Sequence, residues 1–540
     1  MRIVDAAAAA ALIPDGATVA SAGFVGAGHA EAVTAAIEAR FLARRGPRDL
    51  TLVYSAGQGD RANRGVNHFG HEGLVRRVIG GHWRSAPKLS RLAIDEKCEA
   101  YNLPQGVITH LYRAIAAKSA GVITRIGLNT FVDPLHGGGR LNARAVAPVV
   151  ERIELDGEPW LRYLPFAVHV ALVRGTTADA QGNISCEHEP FHHELLAIAQ
   201  AARNSGGIVI AQVKRLTERH VEPQRVRLPG ILVDYVVVAG DDPATHGMTF
   251  GEHFNPAYTG ELRTPGAWAS PDQATAGDAA APTPVVLDAR AIVQRRAALE
   301  LAAHAARNAG TGRRLIVNLG VGMPAAVAGI ARDAGVEGFV PTVEAGPIGG
   351  TPADGLSFGA SSDPEAIVDE PAQFDFYDGG GLDLAFLGLA EVDVAGNVNV
   401  SMFGHGAHRS IAGVGGFINI TQSARSLVFM GTMTAGGLEV EVVGGRLRIV
   451  AEGRSAKVVG QVSHLSFNGP YVASLGREVL YLTERAVFRL MDGRLTLVEV
   501  APGIDVERDV LARCAAPVAV ADSLATMDPR VFHGGPLRLA

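Results

Sequence analysis

The chain of 540 residues repeats one pattern of segments in its two halves, and this repeat is the strongest constraint on its fold. In the first half, "TVASAGFVGAGHAEAVTAAI" (18–37) predicts a strand, a glycine loop and a helix, and "RLIVNLGVGMPAAVAGIA" (314–331) predicts the same in the second. Three further matches follow in the same order: "LVYSAG" with "PTVEAG", Gly137–Gly139 with Gly379–Gly381, and "VALVRGTTADAQGN" with "LAFLGLAEVDVAGN". Ordered matches of this kind predict an α/β fold with two tandem, related, open α/β domains.

The stretch between the halves differs from both of them in composition. Residues 264–284, "TPGAWASPDQATAGDAAAPTP", are rich in Pro, Ala, Gly and Thr and contain few large apolar side chains. Such a composition is typical of a linker. We therefore expect an N-terminal domain over 1–263, a linker over 264–284 and a C-terminal domain over 285–540.

Charge and cysteine content limit the class of protein. A net charge of −6 disfavours a nucleic-acid surface, for which a basic face is expected. The three cysteines, Cys98, Cys186 and Cys514, are scattered and form no CxxC pair, which is typical of a reducing compartment. No run of apolar residues is long enough to span a membrane. The alanine-rich start holds Asp5 and predicts a helix before the first strand, not a signal peptide. We expect a cytoplasmic protein with neither nucleic-acid nor membrane partners.

One glutamate stands where a ligand site is expected. "VEGFVPTV" (336–343) predicts a buried strand that ends near Val343, and Glu344 follows it, ahead of the small residues "AGPIGG". In open α/β sheets, ligands bind at the carboxyl ends of the strands. The matching position in the first half is Ser55, so the sequence favours a single site centred on the second half. The alternative is that Glu344 caps the next element or forms an ion pair.

Two glycine loops are candidates for oxyanion binding. "GVGMP" (320–324) and "GVGGFINI" (413–420) can each bring backbone N–H groups close to a ligand oxygen, although ordinary turns are the alternative. The strand–glycine–helix pattern lacks the GxGxxG spacing of dinucleotide-binding folds, which disfavours a nicotinamide enzyme. Neither a phosphate-binding GxxxxGK[ST] loop nor a GxSxG nucleophile elbow is present.

Two histidine-containing stretches are candidates for ligand binding. "CEHEPFHHE" offers Cys186, His188, His192 and His193, but the spacing fits no familiar zinc pattern, so we predict no metal site there. "NHFGHEGLVRRVIGGHW" (67–83) predicts a helix with a cationic face that meets either phosphates or solvent.

Seven motifs resemble those of one enzyme family. They are "RGVNHFGHEGLVRRVIGGHW", "YNLPQG" (101–106), "TFVDP" with "GGGRLN", "VEAGPIGG", "FDFYDGGGLDLAFLG", "GVGGFINITQ" and "LTERAVFRL" (482–490). Their order and spread over the whole chain resemble a family I coenzyme A-transferase, most of all the single-chain propionate/acetate and acetoacetate CoA-transferases. The two fused, related α/β domains of that family agree with the repeat.

The resemblance implies a reaction and its nucleophile. Glu344, in "VEAGPIGG", is expected to attack an acyl-CoA thioester, and CoA then returns to form a glutamyl-CoA thioester. The overall reaction is a ping-pong transfer of CoA between short-chain acyl groups (acetyl, propionyl, acetoacetyl or butyryl) and short-chain carboxylic acids. CoA is thus a substrate, and the resemblance implies no permanently bound cofactor, no metal and a homo-oligomer, either a dimer or a tetramer.

The resemblance also assigns supporting residues. Backbone donors are expected in the two glycine loops, and a second glutamate is expected near the nucleophile. Two further segments, from the first domain, are expected to face the acyl group. These residues are Val321, Gly415 and Gly416 as donors, Glu484 as the second glutamate, and Gln105, Gly23 and Phe24 on the acyl side.

The chain departs from the usual family sequence in one motif. Relatives usually read "GLGTFVDPR", where this chain has "GLNTFVDPLH", so Asn129 replaces a glycine and Leu135 an arginine. If that segment borders the acyl pocket, the substrate range differs.

An acyl-CoA hydrolase on the same scaffold is the first alternative function, with water in place of an acceptor acid attacking the covalent intermediate. A sensor that binds CoA esters without turnover is the second, and an intact nucleophile disfavours it.

Overall fold

The fold was analysed in a computed structural model that describes residues 1–263, 286–404 and 406–539. The predicted linker, 264–284, lies outside the described residues. The domain boundaries at 263 and 285 therefore stay predictions.

The first half is built on a parallel sheet. From one edge to the other its strands are Arg2–Val4, Tyr235–Val238, Ile208–Thr217, Val170–Asp179, Thr18–Ser21, Leu50–Tyr54, Val75–Gly80 and Glu99–Asn102. Each neighbouring pair along this path is parallel. Short strands at Ile184–Ser185 and Val226–Leu228 extend it in antiparallel pairing. The central strands are buried on both faces, as parallel strands covered by helices must be.

The second half is built on a mixed sheet. Its strands, in spatial order, are Ala366–Ile367, Pro347–Ile348, Phe339–Thr342, Leu315–Leu319, Leu384–Gly388, Ser426–Met430, Glu478–Leu482, Ala486–Met491, Arg494–Val500 and Ala519–Thr526. Neighbouring strands from Phe339–Thr342 to Glu478–Leu482 pair in parallel. The short strands Pro347–Ile348 and Ala366–Ile367 pair in antiparallel orientation at one edge. Beyond Glu478–Leu482, the next two pairings, with Ala486–Met491 and then Arg494–Val500, are also antiparallel.

Five central strands have the same spatial order and the same chain order in both sheets. In the first sheet the order runs from Leu50–Tyr54 through Thr18–Ser21 to Val170–Asp179 and on to Tyr235–Val238. In the second sheet it runs from Phe339–Thr342 through the equivalent strands to Glu478–Leu482. The predicted class of two tandem, related α/β domains is therefore confirmed.

The helices cover the faces of these sheets. The α-helices are Ala6–Ala11, Glu31–Arg44, Pro87–Ile94, Gln105–Ala116, Leu195–Asn204, Pro243–His246, Ala289–Asn308, Val327–Asp333, Glu370–Asp378, Phe417–Ser423 and Gly469–Ser474. Side-chain caps fix several starts: the Asp288 carboxylate accepts a bond of 2.7 Å from the N–H of Ala291. No helix in the described ranges is long and apolar enough to cross a membrane.

Smaller elements fill the connections. The minor strands are Val122–Thr124, Val150–Leu155, Glu158–Tyr163, Thr351–Pro352, Ser361–Ser362, Glu391–Asp393, Val398–Asn399, Met402–Phe403, Ser410–Ile411, Thr434–Ala435, Glu439–Val443, Arg446–Ala451, Ser455–Ala456 and Val458–Val459. The helix predicted over 67–83 is wrong, because that segment contains the end of a 3-10 turn, Gly65–Phe69, and a sheet strand, Val75–Gly80. The β-branched residues of "LVRRVIGG" are buried between two parallel neighbours, and this pairing outweighs the helical spacing of its charges.

One buried apolar cluster extends through both halves, and backbone hydrogen bonds also join them. Side chains of both halves, such as Tyr112 and Phe374, belong to one cluster of buried residues. The N–H of Trp83 donates to the carbonyl of Ala412 at 2.7 Å, and the N–H of Gly415 donates to the carbonyl of Gly81 at 2.8 Å. These bonds hold the "GVGGF" loop of the second half against the carboxyl end of the first sheet.

Candidate active site

A cavity of about 390 Å³ lies between the two halves, and both halves contribute to its walls. Most of the wall is apolar, with side chains such as Phe358, Leu389 and Phe417. Its polar and charged side chains include Arg61, His82, Arg84, Ser85, Gln105, Glu344 and Asp354. An apolar, half-enclosed cavity with a few convergent polar groups is typical of a small-molecule site.

Glu344 lies at the carboxyl end of strand Phe339–Thr342, where the sequence placed it. Asn318, on the neighbouring strand, donates from Nδ2 to Glu344 Oε2 at 3.4 Å. The same amide approaches the hydroxyl of Tyr377 at 3.4 Å, and that hydroxyl donates to Thr342 Oγ1 at 2.8 Å. The carboxylate is thus held by a buried polar network, and among the described residues it has no ion-pair partner.

Burial raises the pKa of the Glu344 carboxyl above its ordinary value, and the hydrogen bond from Asn318 only partly offsets this. A carboxylate that is poorly solvated is more reactive than one in water, since less hydration must be removed before it attacks. The equivalent residue of the first half, Ser55, is fully buried and does not line the cavity.

Each glycine loop contributes one candidate backbone donor to the cavity wall. Val321 and Gly416 both line the cavity, and within the described ranges their N–H groups donate to no other atom. Gly415 lines the cavity as well, but its N–H is already bonded to Gly81. The expectation that Gly415 contributes a donor is therefore wrong, because the bond that ties its loop to the first half occupies that N–H.

The first half contributes Gln105 and Phe24 to the cavity wall, and that they face the acyl group stays a prediction. Gln105 begins helix Gln105–Ala116, and its backbone N–H donates to the carbonyl of Gly415 at 2.9 Å. Gly23 does not line the cavity. Its φ of +137° and the close approach of Ala27 and His29 make it part of the tight turn that presents Phe24.

Glu484 has a different position from the one expected. It is fully buried and lies outside the cavity wall; its carboxylate accepts the N–H of Met433 at 2.9 Å and binds Arg485 Nε at 2.6 Å. Arg485 is itself fully buried and also bonds Glu452 at 2.8 Å. The interpretation of Glu484 as a residue that orients Glu344 is not supported, because its hydrogen bonds serve this buried ion pair.

Replacing Glu484 by glutamine is expected to lower the free energy of unfolding by about 2 kcal/mol, because a buried guanidinium loses one of its charged partners. Activity per folded molecule should stay within twofold. Denaturant unfolding and kcat would be measured together, with Glu441→Gln in an exposed ion pair as the control. A large fall in kcat at unchanged stability would restore the orienting role.

Sequence analysis missed two arginines at the cavity. Arg61 and Arg84 both line it and are exposed, and within the described ranges neither side chain has an ion-pair partner. Burial first, and then the charges of Arg84 and Arg61, lower the pKa of His82 to about 4. Arg84 lies one residue beyond the stretch 67–83 for which a cationic helix was expected, so that prediction did not include it.

The other candidate residues lie outside the cavity. Cys186 and His193 are buried, and the ring of His188 packs against that of Phe254 in a tilted arrangement. No group of three or more His, Cys, Asp or Glu in the described ranges could hold a metal. Asn129 and Leu135 do not line the cavity. Asn129 has a φ of +58°, a conformation that favours glycine but that asparagine tolerates, which accounts for this departure from the relatives.

This chain is similar to known proteins in both sequence and fold. The Coenzyme A transferase family model matches residues 3–239. Caffeate CoA-transferase of Acetobacterium woodii is 44% identical over 535 residues, which are 98% of this chain and 97% of that protein. Acetate CoA-transferase YdiF of Escherichia coli strain K12 is 38% identical over 533 residues, 98% of this chain and 95% of that protein.

A solved structure agrees over the whole chain. The apoenzyme of the acyl-CoA transferase YdiF from Escherichia coli O157:H7 superposes with a TM-score of 0.89 at 36% identity, covering 100% of this chain and 97% of that one. The same enzyme has been solved as a thioester complex with CoA, which superposes with a TM-score of 0.88.

The chain therefore belongs to the coenzyme A transferase family. It is a single-chain enzyme that transfers CoA between an acyl-CoA and an acid.

Proposed function

We propose that this enzyme transfers CoA through a covalent glutamyl-CoA thioester on Glu344, with short-chain acyl-CoA donors and short-chain carboxylic acid acceptors. The acyl groups would be acetyl, propionyl, acetoacetyl or butyryl. The observation that carries the proposal is the position of Glu344 in an apolar cavity that Val321 and Gly416 also line, with backbone N–H groups that have no acceptor in the described ranges.

The reaction needs one nucleophile, Glu344, and one site that binds a carbonyl oxygen in two successive attacks. A Glu344 oxygen attacks the thioester carbonyl, the carbon–sulfur bond breaks, and an acyl-glutamyl anhydride and a CoA thiolate result. The thiolate then attacks the glutamyl carbonyl, which releases the first acid as its carboxylate and leaves the glutamyl-CoA thioester. The acceptor acid reverses both steps, so no proton or electron is gained or lost overall.

The surroundings of Glu344 suit these steps. Each attack places negative charge on a carbonyl oxygen, and N–H donors fixed in advance stabilise that charge, commonly by a few kcal/mol. The N–H groups of Val321 and Gly416 come from opposite glycine loops, so they can serve an oxygen lying between the loops. The small residues Ala345 and Gly346 leave space beside the carboxylate for the acyl group and the thiolate.

The test follows acyl exchange and free thiol together. The enzyme is incubated with propionyl-CoA, with and without acetate. Acetyl-CoA that forms only with acetate, without net release of thiol, supports the transfer. Thiol release in the absence of an acceptor would instead identify a hydrolase. Because a relative of 44% identity is a caffeate CoA-transferase, caffeate and butyrate are compared with acetate as acceptors.

Arg61 and Arg84 are proposed to bind phosphate groups of CoA. Both are exposed cations at the cavity, and the only carboxylate of the described ranges that lines it besides Glu344 is that of Asp354. Guanidinium groups bind phosphate with charge-assisted, often bidentate hydrogen bonds. The energy of that contact can then be used at the distant thioester.

Replacing Arg84 by alanine is expected to raise the KM for propionyl-CoA about tenfold, with the KM for acetate unchanged, because one charged phosphate contact is lost. Arg61→Ala should act in the same direction, and the effect should shrink at high salt. Initial-rate kinetics measure both constants. Arg91→Ala, an exposed arginine paired with Asp95, is the control. An unchanged KM in both variants would contradict the assignment.

The assembly and location belong to the same proposal. We expect a homo-oligomer, either a dimer or a tetramer, in the cytoplasm, with all three cysteines as free thiols. Sedimentation of the full chain measures the number of subunits.

A further inference from the structure

Two buried glutamates lie beside the active-site cavity, and the reaction proposed above does not use them. Glu194 precedes helix Leu195–Asn204, and Glu370 begins helix Glu370–Asp378. Both side chains are at most 1% exposed. These two helices pack against helix Gln105–Ala116. Their N-terminal residues meet there, because the Gln105 side chain bonds that of Glu370 and the N–H of Glu370 donates to the carbonyl of His193 at 3.0 Å. Buried carboxyl groups of this kind are costly and call for an explanation.

The two glutamates are linked to each other and to the cavity by a chain of hydrogen bonds. The hydroxyl of Ser55 donates to Glu194 Oε1 at 2.6 Å, and the side-chain amide of Gln105 donates to Glu370 Oε1 at 2.9 Å. The remaining oxygen of each carboxyl, Oε2, is buried and has no hydrogen-bond partner in the described ranges. The backbone N–H of Glu370 donates to the carbonyl of His193 at 3.0 Å, which places Glu370 beside Glu194 and lets the two carboxyl groups bond to one another. Two carboxyl groups can form such a bond only if one of them carries a proton.

The groups that surround the pair favour a shared proton. Glu344 and the buried, unpartnered hydroxyl of Tyr112 are the titratable groups that interact with it, and no lysine or arginine of the described ranges is among them. Burial raises the pKa of Glu194 to about 7, and burial together with Glu194 raises that of Glu370 well above its usual range. The three helix N-termini stabilise the single negative charge that is left.

We propose that Glu194 and Glu370 form a carboxyl pair that holds one proton, bridges the two halves of the chain and fixes the side chain of Gln105 at the cavity wall. Both glutamates are thereby positioning residues for the transfer at Glu344, so this inference rests on the proposed function. Gln105 links them to the site, because its Oε1 lies beside Gly415 in the loop that also carries the Gly416 N–H. With its amide nitrogen bonded to Glu370, the carboxamide of Gln105 has one orientation toward this loop.

The first test is a double-mutant cycle on the full-length enzyme. Glu370→Ala is expected to lower kcat for acyl exchange by about 100-fold, as a displaced positioning group does, with the KM for propionyl-CoA within threefold. Gln105→Ala should give a similar loss. The double variant should be no slower than either single variant, because Glu370 acts through Gln105. Additive losses, or an unchanged kcat in Glu370→Ala, would overturn the proposal.

Conservative variants test the shared proton and guard against misfolding. In Glu194→Gln, the amide carbonyl can accept from Ser55 while the amide nitrogen donates to Glu370, so it replaces the proton. In Glu370→Gln, the carbonyl still accepts from Gln105. Both variants should keep kcat within about tenfold of the wild type, whereas Glu194→Ala should resemble Glu370→Ala. Glutamine variants as slow as the alanine variants, at normal thermal stability, would count against the pair.

Two controls separate this proposal from the one on Glu344. Asp375→Asn removes a negative charge from the exposed side of the same helix, where it pairs with Arg113, and should leave kcat unchanged. Intact-mass measurement after mixing with propionyl-CoA detects covalently bound CoA. If the wild type forms no adduct, the proposed covalent route fails. If it does and the cycle is additive, only the role of the pair fails.

Discussion

Replacing Glu344 by alanine or glutamine is expected to abolish CoA transfer, with a fall in kcat of at least about 10⁴-fold. Neither side chain can form the anhydride or the thioester, and no other carboxylate of the described ranges besides Asp354 lines the cavity. Glutamine keeps the size and the hydrogen bond from Asn318, so its loss of activity cannot be ascribed to a collapsed site.

The measurement combines turnover with detection of the intermediate. Wild type and both variants are mixed with propionyl-CoA, and the mass of each intact protein is recorded before acetate is added. Only the wild type should gain the mass of CoA minus water. Glu337→Gln, an exposed position in the same segment, is the matched control and should behave as the wild type. An active Glu344→Ala enzyme would mean that another group is the nucleophile.

Replacing Gly346 by alanine is expected to lower kcat about 100-fold and the free energy of unfolding by about 2 kcal/mol. Gly346 has a φ of +123°, and a Cβ at this position would lie 2.1 Å from the carbonyl oxygen of Val368. The backbone there cannot yield easily, because Val368 also donates its N–H to Gly346 at 3.1 Å, and Gly346 donates to Val343 at 3.0 Å. The turn that carries Glu344 must therefore shift.

Steady-state kinetics and denaturant unfolding measure the two effects. Gly329→Ala is the control, since this glycine lies in helix Val327–Asp333 with no atom within 4 Å of the added carbon, and it should be neutral or stabilising. Wild-type activity in Gly346→Ala would show that the loop tolerates the change and that its geometry is not needed for the transfer.

Strands, turns and helices that depend on neighbouring residues in the chain were predicted well. The buried strand before Glu344 is formed by Phe339–Thr342, and the strand, glycine loop and helix around Gly320 are formed as expected. The repeat predicted the equivalent order of strands in the two sheets, because each half uses the same short-range signals of strand, turn and helix. The helix predicted over 67–83 is wrong. The basic residues of this segment indicated a cationic helix face, whereas pairing with two neighbouring strands decides which of its side chains are buried.

The candidate site was predicted only in part. The sequence named Glu344 and both glycine loops as candidates, and all of them contribute to the cavity wall. It could not distinguish Gly415 from Gly416, since only the tertiary structure shows that the Gly415 N–H is bonded to Gly81. It likewise could not show that Glu484 is bonded to Arg485 rather than directed at Glu344.

What the sequence alone determined is the duplicated α/β fold, the family and the glutamate at a strand end, all of which depend on residues close together in the chain. The tertiary structure decided which groups of the two halves meet. It brought Gln105 within 2.9 Å of Glu370, placed Ser55 at 2.6 Å from Glu194, and left Arg84 at the cavity without an ion-pair partner in the described ranges. These contacts join residues more than a hundred positions apart, and their energies depend on burial and charge that exist only once the two sheets have packed together.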